Sequence, residues 1–190
     1  MTNNKMLLLI DGANLHRAAK VIGFSIDFKK LLSEFRGRGD LLRANYYTVL
    51  SDDDENSPLV PLVDWLDYNG FAVVTKPVKT FTDSQGNRKL SGNMHVEIAV
   101  DAMEMAPHVG HIVLFSGDGD LCSVVQAVQR RGIKVSIVSS VASKPAICAD
   151  ELRRQADEII DLVDLRPKIS REARPLRDVA HAPSLGVAGS

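Results

Sequence analysis

Thiols are almost absent from this chain. Cys122 and Cys148 are its two cysteines, and neither forms a CxxC pair or lies beside a histidine at zinc spacing. That excludes a structural zinc site and a disulfide framework, and leaves reduced, buried thiols as the expectation. Aromatic residues are also few, at 5% of 190 residues, so platforms for stacking nucleobases are not expected and sequence-specific reading of a nucleic acid is doubtful. Long apolar runs are missing too. The first one, Met6 to Ile10, follows a polar start and spans five residues, far short of a signal peptide core or a membrane span. A cytoplasmic protein with no membrane partner is expected. The net charge of −1 excludes a globally basic chain, but it is unevenly spread. Arg166, Lys168, Arg171, Arg174 and Arg177 outweigh Glu172 and Asp178, leaving a tail of +3 and a body of −4. Such a tail can touch phosphates, and its composition also suits a solvated, disordered end.

What is present is 45% hydrophobic and 25% charged, the balance of a globular domain with one sizeable core. Met6 to Ile10 and His111 to Phe115 are continuous apolar runs, the mark of strands covered on both faces. Further strands are expected at 43–50, 71–78 and 134–139, with a short one at 158–163. Helices are expected at 15–21, 27–35 with Asp27 as N-cap, 58–69, 93–105, 121–131 and 146–156. The segment 51–57 reads as an acidic loop. The polar excursion 80–91 carries Asp83-Ser84-Gln85-Gly86-Asn87, a turn or hairpin signal. Strands alternating with helices give βαβ units and a parallel sheet. One doubly wound domain is expected over 1–165, with a tail at 166–190.

In such sheets ligands bind beyond the carboxyl ends of the strands. Two strands here end in acid-rich turns, Asp11-Gly12-Ala13-Asn14 and Ser116-Gly117-Asp118-Gly119-Asp120. If the two strands are neighbours, Asp11, Asp118 and Asp120 converge. Three close carboxylates repel one another unless a hard divalent cation lies between them, and oxygen donors favour Mg²⁺ or Mn²⁺. The competing reading is that Asp118 or Asp120 merely caps the following helix. Glu97, Asp101 and Glu104 share one face of the helix at 93–105, either solvated or turned to the site. His95 falls on another face with Ile98 and Ala102, where a core or rim histidine is the ordinary outcome. Lys76, Lys79, Arg88, Lys89, Arg130-Arg131 and Arg153-Arg154 are the cations available to a polyanion. A haloacid-dehalogenase type of phosphohydrolase would need DxDxT after the first strand, and Asp11-Gly12-Ala13-Asn14-Leu15 lacks its second aspartate and threonine.

Four segments together resemble the NYN family, the LabA-like proteins of the PIN-like nuclease superfamily. They are LLLIDGANL at 7–15, the stretch from Lys89 to Glu104, HIVLFSGDGDL at 111–121 and ADELRRQADEIIDL at 149–162. The resemblance covers about residues 5–165. It implies a Rossmann-like, three-layer α/β/α sandwich of the PIN-like type, with a mainly parallel sheet of about five to six strands. It also implies a metal-dependent endoribonuclease with a Mg²⁺ or Mn²⁺ site and RNA, or another nucleic acid, as partner; a homodimer stays open. By the same resemblance Asp11, Asp118 and Asp120 are the catalytic acids and metal ligands. Asn14 and Ser116 match the family pattern too and would position the metal shell or the scissile phosphate as substrate contacts, while Arg88, Lys89 and the tail, by their charge, are the expected contacts to the substrate backbone. The chain departs from the family pattern at His95, which stands where an aspartate is expected, and Leu90-Ser91 is inserted before Gly92. His95 is then a candidate ligand itself, or Glu97 compensates. Failing both, the chain is an attenuated RNA-binding or regulatory module.

Overall fold

The apolar run at the start of the chain folds into a strand whose two faces are both covered. The computed structural model describes residues 4–51, 59–78, 80–82, 88–90 and 92–172. In chain order the elements are β1 (Lys5–Asp11), α1 (Gly12–Ile22), α2 (Phe28–Arg38), β2 (Asp40–Ser51), α3 (Leu59–Tyr68), β3 (Ala72–Val78), β4 (Thr80–Thr82), β5 (Arg88–Leu90), α4 (His95–Met105), β6 (His111–Phe115), α5 (Cys122–Gln129), β7 (Lys134–Ser139), α6 (Asp150–Gln155), β8 (Glu158–Asp161) and α7 (Leu162–Ile169). Along β1 the side chains alternate. Met6, Leu8 and Ile10 join one buried cluster with Leu15, Leu31, Phe35 and Leu165. Leu7 and Leu9 join a second with Ile98, Ala102, Val125 and Leu152. The sheet therefore has α1, α2, α3 and α7 on one face and α4, α5 and α6 on the other, which is the expected three-layer α/β/α sandwich.

Six strands form one sheet in the order β3-β2-β1-β6-β7-β8, and every pairing in it is parallel. From β1 the chain moves outward on one side to β2 and β3. From β6 it moves outward on the other side to β7 and β8. The order thus reverses between β1 and β6, where Ile10 lies beside Phe115. The polar excursion forms a separate antiparallel hairpin, β4 with β5, between the end of β3 and the start of α4, and so at the carboxyl edge of the sheet. The expected acidic loop at 51–57 lies, beyond Ser51, outside the described residues.

Several expectations need correction. The helix at 146–156 is shorter, because Ile147 and Cys148 donate their N–H groups back to Ser140 O at 3.0 and 3.1 Å. That folds 141–149 into a loop and delays α6 to Asp150. The strand at 158–163 stops at Asp161, whose carboxylate accepts from Val163 N at 2.9 Å and caps α7. The boundary at 165 falls inside α7. Leu162, Leu165 and Ile169 are buried along one stripe of it, and Asp27 N and Arg171 N donate to Ile169 O and Ser25 O, each at 2.8 Å. Residues 166–172 are thus part of the folded body; the rest of the expected tail, 173–190, lies outside the described residues. Among the described residues no helix is long and apolar enough to cross a membrane.

The acidic face of α4 is neither solvated throughout nor turned to the metal candidates. The Tyr47 hydroxyl, on β2, donates to Asp101 at 2.6 Å, and Asn45 Nδ2 joins at 3.2 Å. Lys76, on β3, pairs with Glu97 at 2.8 Å. Glu104 alone of the three is exposed. Burial first, and then the Asp101 carboxylate, push the Tyr47 phenol far above its ordinary value of 10, so it stays a donor. A buried bond from a neutral donor to a charged acceptor contributes about 1.5–3 kcal/mol. Tyr47→Phe keeps the packing and removes that bond. Urea unfolding should show the variant destabilised by about 2 kcal/mol; an unchanged midpoint would mean that water already serves Asp101.

Candidate functional site

Asp11 ends β1 and opens α1. One carboxylate oxygen accepts from Asn14 N at 3.1 Å, closing the first turn of the helix, and the other accepts from the Ser116 hydroxyl at 3.2 Å. Ser116 lies just past the end of β6 and is itself buried. Its oxygen accepts in turn from Asp118 N at 3.2 Å. Asn14 completes the frame, its side-chain oxygen accepting from Gly117 N at 3.0 Å. The two turns that the sequence singled out are thus bolted together across the point where strand order reverses. Both need glycine for close approach. A Cβ on Gly12 would fall 2.5 Å from the Tyr46 hydroxyl, and one on Gly117 would fall 2.5 Å from the Ile147 carbonyl.

Asp118 caps the short 3-10 turn Gly119–Leu121 by accepting from Asp120 N at 3.1 Å. The capping role is therefore real. It uses one oxygen of Asp118 and leaves Oδ2 for the cleft, so the capping and site readings do not exclude each other. His95, the first residue of α4, points at the same place, with Nε2 3.4 Å from Asp118 Oδ2 and Nδ1 3.7 Å from Asp120 Oδ2. Both distances are too long for good hydrogen bonds; they place an imidazole between two carboxylates without locking it to either. The ordinary expectation for His95, a core or rim residue, is corrected: it faces the site. The His95 side chain is mostly buried, whereas that of Asp120 is 79% exposed.

Asp11 differs from Asp118 and Asp120 in being buried. Desolvation raises its pKa above the ordinary 3.8, the bonds from Asn14 and Ser116 work in the opposite direction, His95 nearby lowers it and Asp118 raises it. Burial wins, so an ionised Asp11 is held against an electrostatic cost unless positive charge arrives.

The site residues therefore separate into groups. His95, Asp118 and Asp120 present ligand atoms that all lie within 4.8 Å of one another. That is the spacing of donors around one ion at about 2.0–2.3 Å from each, so these residues fit a divalent cation. Asp11 and Asn14 line the same cleft, which has a volume of 290 Å³ and continues over Thr48, Gly92 and Asn93. Glu97 is not in the cluster; Lys76 engages it, and the Lys76 bond holds its carboxyl below the ordinary value of 4.5. Arg88 and Lys89 belong to β5 at the carboxyl edge, and their side chains lie outside the described residues, as does Lys79. Arg130 and Arg131 follow α5 at the start of β7, the opposite edge of the sheet, where Arg131 donates to Met103 O at 3.2 Å. Arg154 is exposed beside Asp150. One cation that sequence reasoning missed is Arg17, which is exposed, lines the cleft and has no carboxylate partner among the described residues. The signal was its spacing, three residues beyond Asn14 on the same face of α1.

Comparison with known proteins agrees with this architecture. The chain is 32% identical over 176 residues to the low amplitude and bright protein LabA of Synechococcus elongatus, covering 90% of this chain and 91% of that one. A protein of unknown function from Vibrio parahaemolyticus, known from its crystal structure, superposes with a TM-score of 0.66 at 24% identity. That match covers 85% of this chain and 94% of the other, and it shows the fold alone. The NYN domain pattern matches residues 5–164, nearly the whole described body. This chain belongs to the NYN domain family as a LabA-like member.

Proposed function

We propose that this chain is a metal-dependent ribonuclease that hydrolyses RNA phosphodiesters in the cleft between β1 and β6. One observation carries the reading: His95, Asp118 and Asp120 gather donor atoms within 4.8 Å of one another, beside a buried Asp11, at the crevice where parallel sheets bind ligands. Asp118, Asp120 and His95 would hold Mg²⁺ or Mn²⁺, with Asp11 supplying further negative charge, and the imidazole favours Mn²⁺ of the two. Bound there, such an ion supplies charge neutralisation at the phosphate and lowers the pKa of a coordinated water.

The chain's own residues supply the rest. Ser116 and Asn14 fix Asp11 and the turn after β6, so the acidic groups need no rearrangement when substrate arrives. Arg17 is free to bind a non-bridging phosphate oxygen, which a guanidinium does well. Asp120 is more exposed than Asp118, and the carboxylate oxygen that it would not give to the ion takes the proton of the attacking water. Water adds to phosphorus, the P–O bond to the leaving ribose oxygen breaks, and that oxygen is protonated from solvent. RNA is the proposed partner, and Arg88, Lys89 and the basic end of the chain are proposed backbone contacts.

A second reading has its own observation. When protonated, His95 supplies between Asp118 and Asp120 the positive charge a metal would otherwise bring, giving an attenuated RNA-binding or regulatory module. Cleavage of single-stranded RNA in Mn²⁺ separates the two. Asp118→Asn should cost roughly 100-fold in rate, at least what loss of an outer-shell partner costs a metal site. His95→Asp should keep or raise the rate. Equal residual rates in wild type and Asp118→Asn would sink the nuclease reading.

Asp11→Asn gives an independent check. The amide can still accept from Asn14 N and no longer carries a buried charge. Without metal, the variant should melt at or a few degrees above wild type, while losing most cleavage, the usual trade between a strained site and stability. A clearly lower melting temperature would mean that the Asp11 charge stabilises the fold and is not held in reserve for a cation.

A further inference from the structure

Aromatic residues are scarce in this chain, but the fold collects them. Phe28 packs edge-on against Tyr46 and Phe71, with ring centroids at 5.6 and 5.9 Å. Trp65, half-buried on α3, faces the same space, with the Lys29 ammonium 5.8 Å from its ring centre. Phe24 and Phe28 complete one side of a pocket of 960 Å³ enclosed by α1, α2, α3 and the end of β2. This pocket is not separate from the acidic cleft. Ala13, Thr48 and Val49 line both, so one opening runs from the carboxylates across the end of β2 to the aromatic rings.

The two ends of that opening differ in chemistry. One holds the acids and Arg17. The other is apolar inside, with Lys20, Lys29 and Arg171 exposed at its rim. Among the described residues none of these three cations pairs with a carboxylate. Rings within, unpaired cations at the mouth and direct continuity with a phosphate-sized cleft are the features that single-stranded nucleic acid requires: a π-face for the base and positive charge for the backbone beside it. The volume is within the range of small-molecule sites.

We infer that this pocket is a base-binding subsite, which receives a nucleobase of single-stranded RNA while a neighbouring phosphate lies in the acidic cleft. The inference rests on the ribonuclease reading of that cleft and adds where the substrate's base goes. Trp65 and Phe28 supply the stacking surfaces, and Lys29, lying over Trp65, moves aside to meet a phosphate. The low overall aromatic content does not count against base recognition, because the rings are concentrated in one place. Recognition of this kind tolerates different bases, since stacking reads a ring and not its edge.

Trp65 is the single tryptophan of the chain, so its fluorescence reports on this pocket alone. The full chain is titrated in EDTA with a short single-stranded RNA and, separately, with an abasic oligomer of the same length and charge. The RNA should quench Trp65 and the abasic oligomer should not. Trp65→Leu should weaken RNA binding roughly tenfold, the effect of losing one stacked base; should that variant fail to fold, the wild-type pair of titrations decides. Equal responses to the two oligomers would overturn the subsite, since the backbone alone would then be bound. Cleavage of RNA in Mn²⁺ without base-dependent quenching would also overturn it and leave the nuclease reading standing. Base-dependent quenching without cleavage would support the pocket and remove the nuclease instead. Silence in both assays would end both.

Discussion

Two adjacent parallel strands whose connections leave in opposite directions cannot be roofed by one helix, and a crevice opens between them. In this chain that constraint acts between β1 and β6. It puts Asp11 and the turn after Phe115 side by side, with Asp118 and Asp120 at the opening. The hydrogen bonds among Asp11, Ser116, Asn14 and Gly117 satisfy the backbone at that opening and fix where Asp118 and Asp120 emerge. The bond from Asp118 N to Ser116, the Asp118 cap on Asp120 N and the bond from Ala149 N to Gly117 O complete the hold on that turn.

The crevice carries an electrostatic problem along with its geometry. Asp11 is shielded from water and its ionised form is disfavoured by that burial, while Asp118 adds like charge nearby. Positive charge close by would favour the ionised form of Asp11. The proposed divalent cation would supply it, and the His95 ring, set between Asp118 and Asp120, also favours the ionised form of Asp11. His95 thus stands where it could serve as a ligand of the proposed ion.

How much of this was legible in the sequence depends on where each signal lay. β1 and β6 were plain, because a strand buried on both faces has to be apolar without interruption. The two acidic turns were plain because they interrupt those strands at their ends. Helix α7 was hidden by Pro167, although Leu162, Leu165 and Ile169 carry a helical stripe. The loop before α6 was hidden because its shape comes from Ser140 O accepting two backbone donors, and backbone acceptors leave no mark in a sequence. On α4 the acidic spacing suggested solvent or metal. The partners that decide otherwise, Tyr47 for Asp101 and Lys76 for Glu97, lie on strands distant in the chain. Composition misled in one respect: it counted few aromatics, and counting says nothing about where they gather.

The central claim is that the crevice between β1 and β6 binds a divalent cation through Asp118, Asp120 and His95. Anomalous diffraction from crystals soaked in Mn²⁺ tests it most directly. The account predicts one strong peak bounded by those three side chains, within reach of Asp11 and unchanged in position at higher metal concentration. A soaked crystal with Mn²⁺ bound elsewhere, and with the His95 imidazole still spanning Asp118 and Asp120, would contradict it.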